Sequence, residues 1–238
     1  MSAALFVCAN LLPAAAQAAA QFSAEPLLLN LPAGKRAASL TLGNRGGQPV
    51  TVQADLLSWN QDSGEDAYAP DTELRVSPPI FSLAPAAVQV VRVGRLKLGA
   101  APVREIAYRL KLAEVPDASA LKLGAVTTIM QLTFPVFVPP ADRKAAPKLE
   151  ASATVLNDGL VVDIVNSGLV HGKLTALRTV QEGAVLHERA LNYYVLAGAR
   201  RQLPWPEALK LAKPGAVQLQ LQLEGRNRTI TLPLTLAP

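Results

Sequence analysis

The side chains that could perform chemistry are few, and their spacing does not favour it. The chain has two histidines, His171 and His187, which lie on different predicted segments without carboxylates at metal-ligand spacing. The adjacent acids Glu65 and Asp66 fall in a polar turn, where carboxylates are ordinarily solvated. The sequence has no Gly-x-Ser-x-Gly elbow and no glycine-rich phosphate loop. We therefore predict no catalytic residue, no metal site and no cofactor, and we interpret both histidines as turn or surface residues.

The only cysteine, Cys8, lies in an N-terminal segment that differs from the rest of the chain. Residues 2–12 are apolar and precede small uncharged residues, as in the hydrophobic core and cleavage region of a secretory signal peptide. A proline interrupts the segment, which is also shorter than the roughly 20 apolar residues of a transmembrane helix. We expect residues 1–20 to be a signal peptide, cleaved after Ala18 or Ala20, and the exported chain to contain no thiol. Because no Lys or Arg precedes the apolar run, we expect the true start codon further upstream.

The charge of the chain does not indicate a nucleic-acid partner. The formal net charge is +5 over 238 residues, but Lys and Arg are mixed with Asp and Glu rather than gathered in a basic patch. No motif for a small-molecule substrate is present either. A mildly basic surface of this kind favours acidic partners.

Strand-like alternation of apolar and polar residues recurs throughout the remaining sequence, and no long amphipathic helix is predicted. Representative segments are 38–42, 50–56, 88–93, 108–112, 160–165, 173–177, 217–223 and 229–234. Short strands at this density, separated by turn residues, predict an all-β protein of two sandwiches with Greek-key connections. Prolines and charges interrupt the pattern between the two halves. The expected divisions are an N-terminal domain at 21–139, a linker at 140–147 and a C-terminal domain at 148–238.

Two long strands are expected at the end of the first domain, at 106–116 and 121–138. The second has apolar residues on both faces over much of its length, so both of its sides need to be covered. Such a strand belongs either in the centre of a sheet or at an edge that another protein completes. We favour the second interpretation.

An ordered series of short motifs runs through almost the whole mature chain. In the first half these are Asn44, 49–53, 59–61, 64–66, 76–81, 83–85, 89–93, Glu105, 108–110, 114–116 and 135–139, and in the second half 165–168 and 194–198. The series resembles the periplasmic chaperones of chaperone–usher pilus assembly. This resemblance implies two immunoglobulin-like β-sandwich domains in a boomerang arrangement and a function without catalysis.

The resemblance also implies that the last strand of the first domain is lent to a pilin that lacks one strand of its own. We place this donor strand from about Leu121 to Phe137. Its pilin-facing side chains are then Leu121, Leu123, Ala125, Thr127 and Ile129. The opposite face, expected to pack in the chaperone itself, carries Met130, Leu132, Phe134 and Val136. A one-residue bulge would exchange the two roles, and ordinary core packing for all nine residues stays an alternative.

The best-known branch of that family anchors the pilin C-terminal carboxylate with an Arg on the first strand and a Lys on the donor strand. The matching positions here hold Leu28 and Phe134, so the sequence is more similar to the archaic or alternative branch, in which another basic residue is the anchor. Arg109 is our first candidate, because its guanidinium can hold a carboxylate with two parallel hydrogen bonds. The candidates for a second charge across the cleft lie near the domain boundary: Lys148 first, then Arg143 and Lys144.

The partners implied by the resemblance are pilin or fimbrial subunits and an outer-membrane usher, both met in the periplasm. Self-association of the free chaperone is left open. Two other functional classes remain as alternatives. An exported structural pilin or adhesin is usually one incomplete sandwich, and a hydrolytic sandwich enzyme needs carboxylates or a metal cluster that converge from separate strands.

Several further residues are given structural interpretations. Trp59 is expected to fill the interior of the first sandwich. An ion pair between Arg92 and Glu105 is one way of fixing the first domain. Asn44 and Asn166, each closely followed by Gly, suit turns that need a positive φ.

Overall fold

The computed structural model describes residues 21–70, 73–97, 99–116, 128–156, 159–205, 217–224 and 229–234. In these ranges the regular elements are all β-strands, which confirms the predicted all-β class. No helix long and apolar enough to cross a membrane is found in the described part of the chain.

The first domain is a sandwich of two mostly antiparallel sheets. Its strands are β1 (Phe22–Glu25), β2 (Leu29–Asn30), β3 (Ala37–Asn44), β4 (Val50–Asn60), β5 (Ala67–Pro70), β6 (Leu74–Ser77), β7 (Ile80–Leu83), β8 (Val88–Arg95), β9 (Ile106–Val115) and β10 (Gln131–Val138). The outer sheet has the order β1-β3-β8-β6. The cleft sheet has the order β2-β10-β9-β4-β5, and β7 also pairs with β4.

Alternation along the strands creates the core between these two sheets. Every second side chain of a strand points to the same face, so an apolar set with period two is buried on one side. Leu40 and Leu42 of β3 meet Val91 of β8, Leu110 of β9 and Val136 of β10, and all five are fully buried. The alternate residues of β9, including Arg109, consequently point to the other face of the sheet, away from the core.

The second domain is a smaller sandwich. Its strands are β11 (Leu149–Leu156), β12 (Gly159–Asn166), β13 (Gly172–Gln181), β14 (Ala184–Val195), β15 (Arg200–Trp205), β16 (Val217–Leu223) and β17 (Thr229–Leu234). One sheet has the order β11-β12-β15 and the other β14-β13-β16-β17. Val162, Ile164, Leu174, Leu219 and Leu221 form its buried core. No described residue between Val138 and Leu149 belongs to a strand.

Each domain contains a buried asparagine with the same set of hydrogen bonds. Asn44 Nδ2 donates to the carbonyls of Gln48 (2.7 Å) and Leu83 (3.2 Å), and its Oδ1 accepts from the Gly46 N–H. Asn166 repeats this pattern with the carbonyls of Val170 and Val195 and the Gly168 N–H. The expectation of a positive φ at these asparagines was wrong, because among the described non-glycine residues only Ala86 and Glu182 have one. The two side chains connect turns instead of relieving backbone strain.

Candidate functional site

Strand β10 has an edge that the described strands cover only in part. It pairs with β9 along its whole length, whereas β2 pairs with it only at Val136 and Phe137. The Phe137 carbonyl accepts from the Leu31 N–H and therefore faces outward, away from β9. By alternation, the backbone polar groups of Gln131 and Thr133 face the same way. The described strands thus leave a length of β10 available for a further strand.

Pro135 occupies an outward-facing position on this edge. A proline has no N–H to donate, so within a sheet it is tolerated where no ladder bond is needed on that side. The inward ladder continues past the strand end, since the Glu114 N–H donates to the Met130 carbonyl (2.9 Å). Met130 N–H in turn donates to Glu114 Oε2 (3.2 Å). The chain at 128–130 thus stays close to β9 although it lies outside the assigned strand.

The two faces of β10 have different environments. Phe134 and Val136 lie in the first-domain core and Leu132 packs against it, as the alternation predicts. Ile129 is 51% exposed and precedes β10. The other four predicted pilin-facing residues, Leu121, Leu123, Ala125 and Thr127, lie outside the described residues, so this assignment stays a prediction.

An aromatic cluster joins the two domains at the end of the cleft sheet. Trp59, Phe137 and Tyr194 are buried together with Ala107 and Leu196. The Trp59 and Tyr194 rings meet edge to face with centroids 5.6 Å apart. The expected position of Trp59 inside the first sandwich was wrong. Its place on β4 puts it in register with Ala107 on the face of the cleft sheet that points away from the core.

Arg109 lies on the same face of the cleft sheet and stacks on this cluster. Its guanidinium carbon is 3.7 Å from the Trp59 ring centroid and 5.5 Å from that of Tyr194. Its Nε is buried and has no hydrogen-bond partner among the described residues. A cation held by aromatic faces instead of a carboxylate keeps its N–H groups available for an incoming anion.

The predicted second charge, Lys148, is exposed immediately before β11. Its backbone N–H donates to Asn166 Oδ1 (3.1 Å), and its carbonyl accepts from the Ser167 N–H (2.9 Å). Arg143 and Lys144 are exposed in the segment before it. These contacts position the backbone of Lys148 but not its ammonium group, so the role of all three residues stays a prediction.

A different lysine of the second domain approaches the aromatic cluster, and the sequence analysis missed it. Lys173 Nζ lies 5.6 Å from the Tyr194 ring centroid and 2.7 Å from Glu224 Oε1. The hydrogen bond that Lys173 donates to Glu224 raises the pKa of the Lys173 ammonium, and Tyr194 adds to this shift. Arg109 and Lys173 thus approach one ring from two domains. The sequence around Lys173 does not indicate that it lies near Arg109, because the two residues are far apart along the chain and meet only at the Tyr194 ring.

Asp66 is the centre of a polar network beside the same cluster. Its Oδ1 accepts hydrogen bonds from Trp59 Nε1 (2.8 Å), Gln61 Nε2 (2.7 Å) and Arg201 Nη1 (2.7 Å). Partial burial alone raises the pKa of the Asp66 carboxyl, but the hydrogen bonds and the Arg201 charge outweigh it, so the pKa lies below its ordinary value. The expectation of a solvated carboxylate was therefore wrong for Asp66, whereas Glu65 is exposed.

Gln61 connects the domains through the backbone. Its side-chain Nε2 donates to the Tyr194 carbonyl (2.8 Å), and its Oε1 accepts from the Leu196 N–H (2.9 Å). Gln202 N–H also donates to the Gly64 carbonyl (3.1 Å). Hydrogen bonds thus join the turn between β4 and β5 to β14 and β15. They hold Trp59 and Tyr194, which form the two sides of the aromatic cluster.

The expected ion pair of Arg92 with Glu105 is replaced by a contact between domains. Glu105 Oε1 lies 2.7 Å from His171 Nδ1 and also accepts from the His171 backbone N–H (3.0 Å). The His171 ring stacks on Phe137 with centroids 3.9 Å apart, so interpreting it as a turn or surface residue was wrong. Arg92 is exposed on the outer sheet. Among the described residues no three His, Cys, Asp or Glu side chains form a potential metal site.

Replacing Asp66 by Asn is expected to lower the melting temperature at neutral pH but not in strong acid. Since the folded pKa of Asp66 lies below its ordinary value of 3.8, its carboxylate stabilises the fold above that pH. This contribution is lost as the pH falls through the folded pKa. Thermal unfolding of both proteins from about pH 7 to about pH 2 measures it. A gap between the two melting temperatures that persists unchanged in acid would contradict this account.

Comparison with known proteins agrees with this geometry. Residues 21–144 match the model of the PapD N-terminal domain of pili and flagellar-assembly chaperones. The chain belongs to this chaperone family. The family is a class of chaperones and not of enzymes. No curated protein shows a significant sequence match to the chain.

Solved structures of similar chaperones span nearly the whole chain. The complex of the chaperone CsuC with the tip adhesion subunit CsuE, from archaic Csu pili of Acinetobacter baumannii, has a TM-score of 0.65 at 21% identity, over 90% of this chain and 98% of that one. The Escherichia coli chaperone DraB gives 0.58 at 19% identity, over 92% and 99%. Pseudomonas aeruginosa CupB2 gives 0.56 at 18% identity, over 90% and 100%. At these identities the similarity establishes the two-domain fold of the chaperone.

Leu28 and Phe134 occupy the positions that match the two anchor residues of the best-known branch, and both are packed apolar side chains. Phe134 is 5% exposed in the first-domain core, and Leu28 packs against the interdomain cluster. Neither apolar side chain can bind a carboxylate. An anion at this place would have to be bound by other residues, and both Arg109 and Lys173 lie beside the cluster.

Proposed function

We propose that this chaperone binds pilin subunits in the periplasm by donor-strand complementation and delivers them to an outer-membrane usher. The observation that carries the proposal is the partly uncovered edge of β10, which ends beside Arg109, a cation without an ion-pair partner among the described residues. A subunit with a missing strand gains main-chain hydrogen bonds along such an edge. Its C-terminal carboxylate gains a charge-assisted bond at the end of the same edge.

The far end of the cleft sheet supports this interpretation. Val115 and Thr51 are paired across β9 and β4, and Ile80 of β7 lies opposite Gln53 of β4, on the face that points away from the core. Ile80, Val115 and Ile129 are exposed apolar side chains. Exposed apolar side chains of this kind, with Val115 and Ile80 on the face of the cleft sheet that points away from the core, are typical of a surface that another protein covers.

We propose Arg109 as the main anchor of the subunit carboxylate and Lys148 as the second charge. Lys173 is the alternative to Lys148 as the second charge, because its ammonium group lies near the same ring as the Arg109 guanidinium. The carboxylate of Glu224 already binds Lys173, so an incoming carboxylate would have to share it. Arg109 has no such partner among the described residues, and this is why we rank it first.

The similar structures support subunit binding as the function. CsuC was solved with a tip adhesion subunit, and the Salmonella enterica chaperone SafB was solved with the pilin SafA. Export through the predicted signal peptide at 1–20 and transfer to an usher complete the proposal, since subunits complemented in the periplasm must still reach the outer membrane. The proposed partner is therefore a small secreted protein.

Replacing Thr133 by Pro is expected to reduce pilin capture by at least about tenfold, because the outward N–H that an added strand needs is lost. The inward ladder to β9 should survive, since the polar groups of Thr133 face away from β9. Thr133→Ala is the matched control, which removes the side chain but keeps the N–H. Capture is measured by titrating both variants with a purified pilin of the same system, alongside thermal unfolding. Equal capture by the two variants would rule out backbone pairing at this edge.

A further inference from the structure

The position of the Arg109 guanidinium depends on two rings from different domains. Trp59 belongs to β4 of the first domain and Tyr194 to β14 of the second, and both rings lie within 5.5 Å of the guanidinium carbon. No hydrogen bond or ion pair in the described part of the chain fixes this side chain. Whatever holds the two rings therefore also determines where the cation is presented.

Asp66 and Gln61 hold those two rings. The Asp66 carboxylate accepts the only N–H of the Trp59 indole. Gln61 holds the backbone of Tyr194 at its carbonyl, and its Nε2 also donates to Asp66. Arg201 binds the same Asp66 oxygen from the second domain. A single carboxylate thus links the Trp59 side of the cluster, in the first domain, to the Tyr194 side, in the second domain.

The same network explains why Asp66 is not an acidic partner of Arg109, which has none among the described residues. Three donors already converge on Asp66 Oδ1, and one of them is the largely buried cation of Arg201. An acid that is satisfied in this way does not reorient toward another guanidinium, because leaving Arg201 unpaired would cost more than a new contact supplies. Arg109 is therefore oriented by aromatic contacts and not neutralised.

We infer that Asp66, acting with Gln61 through Trp59 and Tyr194, is the residue that positions the Arg109 guanidinium for an anion. Asp66 does not touch the anion itself. This inference rests on the proposed function for its biological purpose, but the positioning is a property of the free chaperone. Because Trp59 and Tyr194 belong to different domains, this positioning makes anion binding depend on contact between the two domains.

NMR of arginine side chains tests the positioning without any subunit. A proton that lies over an indole face is shifted upfield, so the Nε–Hε signal of Arg109, assigned by its loss in Arg109→Lys, should lie upfield of the other arginine signals. Asp66→Ala should move this signal most of the way to the ordinary arginine position. Asp66→Asn keeps an acceptor for Trp59 and should give an intermediate shift, which also covers the case that Asp66→Ala fails to fold. The matched control is Asp163→Asn, which removes an exposed ion pair with Arg200 and should leave the signal in place.

A binding measurement connects the positioning to the anchor. The probe is a synthetic dodecapeptide of alternating Val and Thr with a free C-terminal carboxylate, compared with the same peptide as a C-terminal amide. Asp66→Asn should weaken binding of the free acid about tenfold and binding of the amide hardly at all. In an Arg109→Ala background, Asp66→Asn should cause no further loss, because the two residues act as a unit.

The two measurements fail in different ways. An Arg109 signal that stays in place in folded Asp66→Ala or Asp66→Asn overturns the positioning role. Equal binding of acid and amide by the unaltered chaperone counts against the anchor in the proposed function, and the NMR result then stands by itself. An additional loss from Asp66→Asn in the Arg109→Ala background would show that Asp66 acts on the fold in general, and would also overturn the inference.

Discussion

Arg109→Ala is expected to lose pilin binding while keeping its fold. A carboxylate in the cleft is partly desolvated, so removing its main charge-assisted partner should cost on the order of 2–5 kcal/mol of complex stability. Arg109→Lys should recover only part of the binding, because a point charge cannot replace a two-pronged contact. Lys148→Ala should show a smaller loss. Titration of each variant with purified pilin gives these differences.

Two controls separate anchoring from general damage. Lys111 lies two residues away on the same face of β9, and its ammonium is 4.0 Å from the Asp55 carboxylate at a partly exposed site. Lys111→Ala should therefore change binding by less than about 1 kcal/mol. A pilin that lacks its last few residues should bind the unaltered chaperone and Arg109→Ala equally weakly. Normal binding of full-length pilin by Arg109→Ala would sink the anchor assignment and make Arg143 or Lys144 the next candidates.

Replacing both Leu123 and Ile129 by Asp is expected to abolish pilin capture. Both residues are assigned by alternation to the face that fills the apolar groove of the subunit, where an unpaired charge costs several kcal/mol. Ile129 is already exposed in the free chaperone, so its replacement should leave the fold intact. Pilin pull-down beside thermal unfolding measures the two effects separately.

The matched control places the same two charges elsewhere. Val88 on the outer sheet and Val185 on β14 are exposed apolar residues outside the proposed binding surface. The doubly substituted Val88→Asp, Val185→Asp protein should capture pilin normally. If the Leu123→Asp, Ile129→Asp protein also captured pilin normally, the donor-strand assignment would be wrong, and the opposite alternation would have to be tested.

The sequence pattern predicted those structural features that are decided by residues close together along the chain. Period-two alternation identified the strands, the all-β class and the burial of Phe134 and Val136, because side-chain direction in a strand follows from local geometry alone. The ordered motifs identified the family, and with it the interest of Arg109.

The tertiary structure decided how the two domains meet. Asp66 and Arg201 are separated by 135 residues and share a hydrogen bond of 2.7 Å; Glu105 and His171 are separated by 66. Contacts between residues so far apart leave no periodic signal. Trp59 was therefore assigned to the first-domain core, Asp66 to a solvated turn, and His171 to a turn or the surface. A buried polar side chain takes whichever partner the packing of distant elements brings near it. Alternation in the sequence therefore decided which face of a strand side chains such as Phe134 and Val136 occupy, and only the packing of the two sandwiches decided which partners Trp59, Asp66 and His171 meet.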